Sequence, residues 1–214
     1  MSADEEPRGT VASHPWPTTL AAHVAGAGPP ARVHGYDLRR DLAVHYDFGE
    51  YLVLALTGRP PSAALGKAAN IALIALADAT VADASVHAAT LARRCGADEK
   101  STLATGLVAL AEEAAHLLQT AQTSPPQGDA VVAFFATLPG EIQHALGEPR
   151  RTIAQTALAV LRLAGLDDPL QLQAALALAR APVMVAEALA VERGDVRDYP
   201  MQLPTFVYGE ESDA

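Results

Sequence analysis

From Asp37 onward the residues of an apolar face recur at steps of three and four: Leu38, Leu42, His45, Phe48, Tyr51, Leu52 and Leu56. That spacing predicts an amphipathic helical stretch, because side chains three and four apart share one side of a helix. Gly58 and Pro60-Pro61 end it, since glycine takes the left-handed turn after a helix and proline cannot extend one. Ser62 is placed to cap a second helix through Leu65, Ala69, Leu73 and Leu76. Asp83 or Ser85 opens a third that ends at Gly96, and Asp98 caps a fourth from Glu99 to about Gln122. After the break Ser124-Pro125-Pro126-Gln127-Gly128 come a short apolar segment, Val131 to Leu138, the punctuation Pro139-Gly140, and a short helix. Thr152 to Leu163 predicts another helix, closed by Gly165. Asp168-Pro169 then supplies an N-cap and an N1 proline for the last long helix, which Pro182 is expected to kink or split. No fixed-period repeat occurs, and no alternating run is long enough to nominate a sheet. The pattern therefore predicts an all-α fold.

The flanks differ. Residues 1–31 hold Pro7, Pro15, Pro17, Pro29 and Pro30, which rule out one regular element and predict an irregular arm, with Trp16 as its anchor. The stretch from Tyr199 to Tyr208 carries Met201, Leu203, Phe206 and Val207 between prolines, and is expected to lie extended on the protein. The organisation expected is an arm over 1–31, a helical domain over 32–209 and a disordered end over 210–214.

Composition narrows the function. Of 214 residues 50% are hydrophobic but only 5% aromatic, so Ala, Leu and Val carry the apolar content, which favours helices over strands. A formal charge of −10 repels phosphate backbones and anionic lipid, so neither nucleic acid nor membrane is an expected partner. No run reaches the eighteen or so uninterrupted apolar residues of a membrane span, because Asp78, Arg162 and Glu187 punctuate the most apolar segments. Cys95 has no cysteine partner, and the acidic start Met1-Ser2-Ala3-Asp4-Glu5-Glu6 is unlike a signal peptide; a cytoplasmic protein is expected. An alanine-dominated core buries little area per residue, so a homo-oligomer would supply further burial.

The run His34-Gly35-Tyr36-Asp37-Leu38 through Asp41-Leu42, then Phe48-Gly49-Glu50 and Leu54-Ala55-Leu56-Thr57-Gly58-Arg59-Pro60-Pro61, resembles the opening of the citrate synthase and citryl-CoA lyase family. Asp83-Ala84-Ser85, Gly96-Ala97-Asp98 and Gly106-Leu107-Val108-Ala109-Leu110 resemble the next two helices in the same order, and Tyr208-Gly209 after Pro204 is similar to the family's ending. The resemblance covers much of residues 32–123 and 152–209. It implies a shortened citrate synthase-like helical fold with a reduced or missing small domain, and a homodimer whose C-terminal tail crosses to its partner. It also implies an acyl-CoA or carboxylate substrate, with a coenzyme A thioester among the substrates and no tightly bound cofactor.

The departures from the family fall at its chemistry. Where the family has a His-Gly-Gly turn, this chain reads Glu112-Glu113-Ala114-Ala115-His116, and where the family has Pro-Gly-Phe-Gly-His it reads Pro139-Gly140-Glu141-Ile142-Gln143-His144. Glu148-Pro149-Arg150 resembles the Asp-Pro-Arg that follows, but the family's next segment is absent between Arg151 and Thr152. At the family's aspartate position stand Ile153, Ala154, Gln155 and Thr156. The family forms or cleaves a carbon–carbon bond beside a thioester: a carboxylate removes the α-proton while histidines stabilise the enolate oxygen and activate the carbonyl partner. By that resemblance His116 and His144 are the polarising groups, and Glu113 or Glu141 stands in for the aspartate. Arg150, Arg151 and His34 are then the substrate-binding candidates. Two other readings stand beside this one. In one, the chain is a non-catalytic scaffold or regulatory subunit; in the other, Glu113-x-x-His116 and Glu141-x-x-His144 form a repurposed carboxylate and histidine metal site, as i, i+3 pairs do in helical bundles. There is no phosphate loop, Rossmann fingerprint, CxxC pair or HExxH.

Overall fold

In the structure, a computed structural model, residues 22–26, 28–121 and 123–195 are described. The chain divides into two compact units, one ending at His45 and the other beginning at Tyr46.

In the first unit Arg32–Val33 (β1) and Tyr36–Asp37 (β2) pair antiparallel, Arg32 opposite Asp37 and Val33 opposite Tyr36. The two-residue turn between them, His34-Gly35, has positive φ at both positions (49° and 88°), the backbone that matches the twist of a tight hairpin. Asp37 then caps a π-helical turn, Leu38–Leu42, accepting the N–H groups of Arg39 and Arg40, and Ala43–His45 (α1) follows. This hairpin corrects the expectation of no sheet: strands of two residues are too short to show a period.

The second unit holds α2 (Phe48–Thr57), α3 (Ala63–Leu76), α4 (Ala84–Arg94), α5 (Glu99–Thr120), α6 (Asp129–Ala136), α7 (Gly140–Leu146), α8 (Ile153–Leu163) and α9 (Pro169–Ala190). The all-α expectation holds in its main part. Most boundaries coincide with the caps read from sequence: Ser62, Asp98 and Asp168 each accept a backbone N–H of the helix they open, which satisfies donors that lack an intrahelical partner, and Thr152, expected as the first helical residue, caps α8 in the same way. Gly58 closes α2 at φ 73°.

Two expectations need correction. The periodic stretch from Asp37 to Leu56 is not one helix, because Asp47 and Glu50 form a capping box that starts α2 afresh. Pro182 does not split the last helix, and α9 runs through it from Pro169 to Ala190. The lost hydrogen bond is tolerated there because α9 is held along its length by α3, α4 and α5. By length and composition alone α9 could cross a membrane, but a third of its most apolar window is buried inside the protein. Between α7 and α8 only residues 147–152 intervene. The arm before residue 22 and the stretch after 195, including Trp16 and Tyr199 to Tyr208, lie outside the described residues.

The core has two parts. The larger joins Leu52 and Val53 of α2, Ala69 and Ala72 of α3, Leu161 of α8 and Leu176 of α9. The smaller joins Val86 and Ala89 of α4, Leu110 of α5, and Met184 and Ala188 of α9. Between the two, on α9, sits Arg180.

Candidate functional site

Arg180 is 8% exposed, and burying a guanidinium demands a partner. Its Nη1 donates to Glu113 Oε1 in a short contact, and its Nε donates to the Leu76 carbonyl at the end of α3 at 3.2 Å. The second oxygen of Glu113 accepts from Ser85 twice, from the backbone N–H at 3.2 Å and from Oγ at 2.7 Å. Ser85 is fully buried in the first turn of α4. Asp83, the N-cap residue, makes no side-chain bond to its own helix, and its Oδ2 accepts instead from the Thr80 N–H at 2.5 Å. Glu113, from α5, therefore takes over the capping of α4 from another element, placing negative charge where the helix dipole favours it. Asp83 Oδ2 also lies 3.9 Å from Arg180 Nη1, so one guanidinium faces two carboxylates. Beside Arg180 is a cavity of about 160 Å³ bordered by Asp78, Thr120, Ser124, Gln127 and Ile153. A small anion entering it would meet an arginine whose charge is already offset.

The other residues singled out from sequence are placed elsewhere. His116 is exposed on α5, three positions from Glu113, yet Glu113 turns inward to Ser85 and Arg180. Glu141 and His144 are exposed on α7. Among the described residues none of His116, Glu141 and His144 has a side-chain hydrogen bond or ion pair. Nor do three histidine, cysteine, aspartate or glutamate side chains gather to hold a metal ion. The two Glu-x-x-His pairs are thus not brought together as a bundle metal site requires. Arg151 is exposed, and its N–H donates to Gln155 Oε1 at 3.1 Å. His34 sits in the hairpin turn of the first unit.

Arg150 instead lines a cleft of about 600 Å³ between α5, α7 and α8. Its backbone is fixed where α8 begins: the Arg150 N–H donates to Thr156 Oγ1 at 3.1 Å, and that hydroxyl donates to the Thr152 carbonyl at 3.0 Å. Gln155, also in the wall, donates to the Ala121 carbonyl at 2.5 Å and joins α8 to the end of α5. Leu118, Leu146, Leu158 and Leu163 line the cleft, and a second guanidinium enters from Arg162 in the last turn of α8. In the sequence alone Arg162 is only a charge interrupting an apolar segment. The signal that could have found it is the spacing of Gln155, Leu158, Ala159 and Arg162, which puts all four on one face of α8.

Comparison with known proteins places the fold. Citryl-CoA lyase from Hydrogenobacter thermophilus superposes with a TM-score of 0.59 over 91% of this chain and 97% of that one, at 16% identity. ATP citrate lyase from Methanothrix soehngenii, solved in complex with citrate and coenzyme A, gives a TM-score of 0.56 over 94% of this chain and 43% of that one, at 15% identity. This chain thus spans less than half of the ATP citrate lyase. At such identity the likeness is one of fold, and the fold is the citrate synthase-like helical one. No family model and no curated protein sequence matches the chain.

Proposed function

We propose that this chain is a citrate synthase-like protein that binds a carboxylic acid or acyl-CoA in the cleft of Arg150 and Arg162, without running carbon–carbon bond chemistry at His116, His144, Glu113 and Glu141. One observation carries the reading: both oxygens of the Glu113 carboxylate are committed, one to Arg180 and one to Ser85. A general base needs a lone pair within reach of the proton it removes, and Glu113 has been built into the helix interface instead. The cleft supports binding, because guanidinium groups pair with carboxylates through charge-assisted hydrogen bonds. The reading needs no resident cofactor. It includes self-association, for which the exposed Leu103, Leu107 and Val108 of α5 supply apolar surface.

A second reading, a lyase acting on citryl-CoA, is favoured by the near-complete overlap with the citryl-CoA lyase chain. The two separate in one experiment. The purified protein is titrated calorimetrically with citrate, octanoate, acetyl-CoA and CoA, and incubated with citryl-CoA while free acetyl-CoA is followed. The binding reading expects saturation by a carboxylate or thioester with a Kd between micromolar and millimolar, about −8 to −4 kcal/mol, and no cleavage. Cleavage abolished by His116→Ala or His144→Ala would overturn it in favour of the lyase. No binding by folded protein would overturn both.

A further inference from the structure

We infer that the cleft between α5, α7 and α8 is a site for an amphipathic carboxylic acid, an apolar body ending in one carboxylate, with Arg162 and Arg150 as its two cationic contacts. The inference rests on the carboxylate-binding reading above and names the ligand class.

Two arginines line this cleft from different elements, Arg150 from the segment before α8 and Arg162 from its last turn. Among the described residues neither forms an ion pair, and none of the ten residues lining the cleft is acidic. In a chain of net charge −10 this is a local reversal of sign, and a concave wall focuses it. Like charges facing one space repel, and an anion between them relieves that repulsion.

The rest of the wall decides the ligand's body. Leu118 comes from α5, Leu146 from α7, and Leu158 and Leu163 from α8. A compact polyanion such as citrate would place carboxylates against these leucines, where no donor answers them, and desolvated charge without partners is costly. The nucleotide part of coenzyme A brings three phosphates, more negative charge than two arginines offset. A chain or ring with a single carboxylate matches both halves of the wall. The volume, about 600 Å³, lies within the range of roughly 300–1,000 Å³ usual for small-molecule sites.

The test uses octanoate, acetate, octanol and citrate as probes in calorimetric titration of the full chain. Octanoate should bind at least about a hundredfold more tightly than acetate, since each methylene removed from water adds affinity, and at least about tenfold more tightly than octanol. Arg162→Gln should weaken octanoate about tenfold and leave octanol unchanged. Leu163→Ser should weaken octanoate and leave acetate unchanged. Arg162 and Leu163 are both exposed, so circular dichroism should report an unaltered fold. If acetate or citrate binds as tightly as octanoate, or Arg162→Gln changes nothing, the amphipathic assignment falls while carboxylate binding survives. If no carboxylate binds at all, the underlying reading falls with it.

Discussion

Arg180 of α9 and Glu113 of α5 form an ion pair 67 residues apart in sequence, with each side chain only 10% exposed. Through Ser85 and the Leu76 carbonyl the same pair reaches α4 and α3. Removing Arg180 strands the buried Glu113 carboxylate, which costs roughly 3–5 kcal/mol, whereas Glu113→Gln leaves Arg180 with Asp83 at 3.9 Å. Arg180→Met should therefore lower the urea unfolding free energy by about that amount, and Glu113→Gln by less. Replacing both, as Glu113→Leu with Arg180→Met, should cost less than the two single changes summed, because the isolated charge is gone. An additive double-mutant cycle would show that the pair is not coupled.

Exposure makes the opposite prediction for the histidines. His116 and His144 lie on solvent faces without side-chain partners among the described residues, so His116→Ala and His144→Ala should each change stability by no more than about 0.5 kcal/mol. Octanoate affinity should be unaltered in both. A tenfold loss of affinity in either variant would move the site toward that histidine.

Close packing at one glycine and open space at another give a paired test. A Cβ on Gly106 would sit 2.5 Å from Met184 Sδ and 2.9 Å from Ala89 Cβ, where α5 crosses α9 and α4. Overpacking costs about 1–3 kcal/mol, and alanine's better helix propensity returns about 1. Gly106→Ala should thus be destabilising by roughly 1 kcal/mol. Gly140, in the first turn of α7, has nothing within 4 Å of the same built atom, so Gly140→Ala should be neutral or stabilising by a few tenths of a kcal/mol. Equal effects at the two positions would contradict the packing seen around Gly106.

What could be read in the sequence follows from how local each signal is. Ser62, Asp98 and Asp168 cap helices through bonds to residues two or three positions on, so their spacing alone announces them. The restart at Asp47 was hidden because Phe48 and Tyr51 continue the apolar rhythm across the break, although Asp47 and Glu50 are a capping box in plain view. Glu113 is the reverse case. Its distance from His116 matched a catalytic or metal motif, while its real partners, Ser85 and Arg180, lie 28 and 67 residues away and no local pattern joins them. The cleft was half legible: Arg150 stood out as part of a motif, whereas Arg162 acquires meaning only when α8 is set against α5 and α7.

The acid limb of stability should run through Asp98. Hydrogen bonds from Ser101, first its backbone N–H and then its hydroxyl, hold the Asp98 carboxyl below the ordinary aspartate value, and the Arg193 charge adds a smaller pull in the same direction. A carboxylate whose folded value is depressed contributes stability that is complete above its unfolded value, near 3.9, and is lost as pH falls through the lower folded value. Asp98→Asn keeps a side-chain oxygen for the cap but removes the titrating charge. The variant should be less stable than the parent at pH 7, and the gap should close as pH drops below about 4. Thermal unfolding of both proteins across pH 3–7 measures it; a gap that stays constant over that range would show that the Asp98 charge contributes nothing to the start of α5.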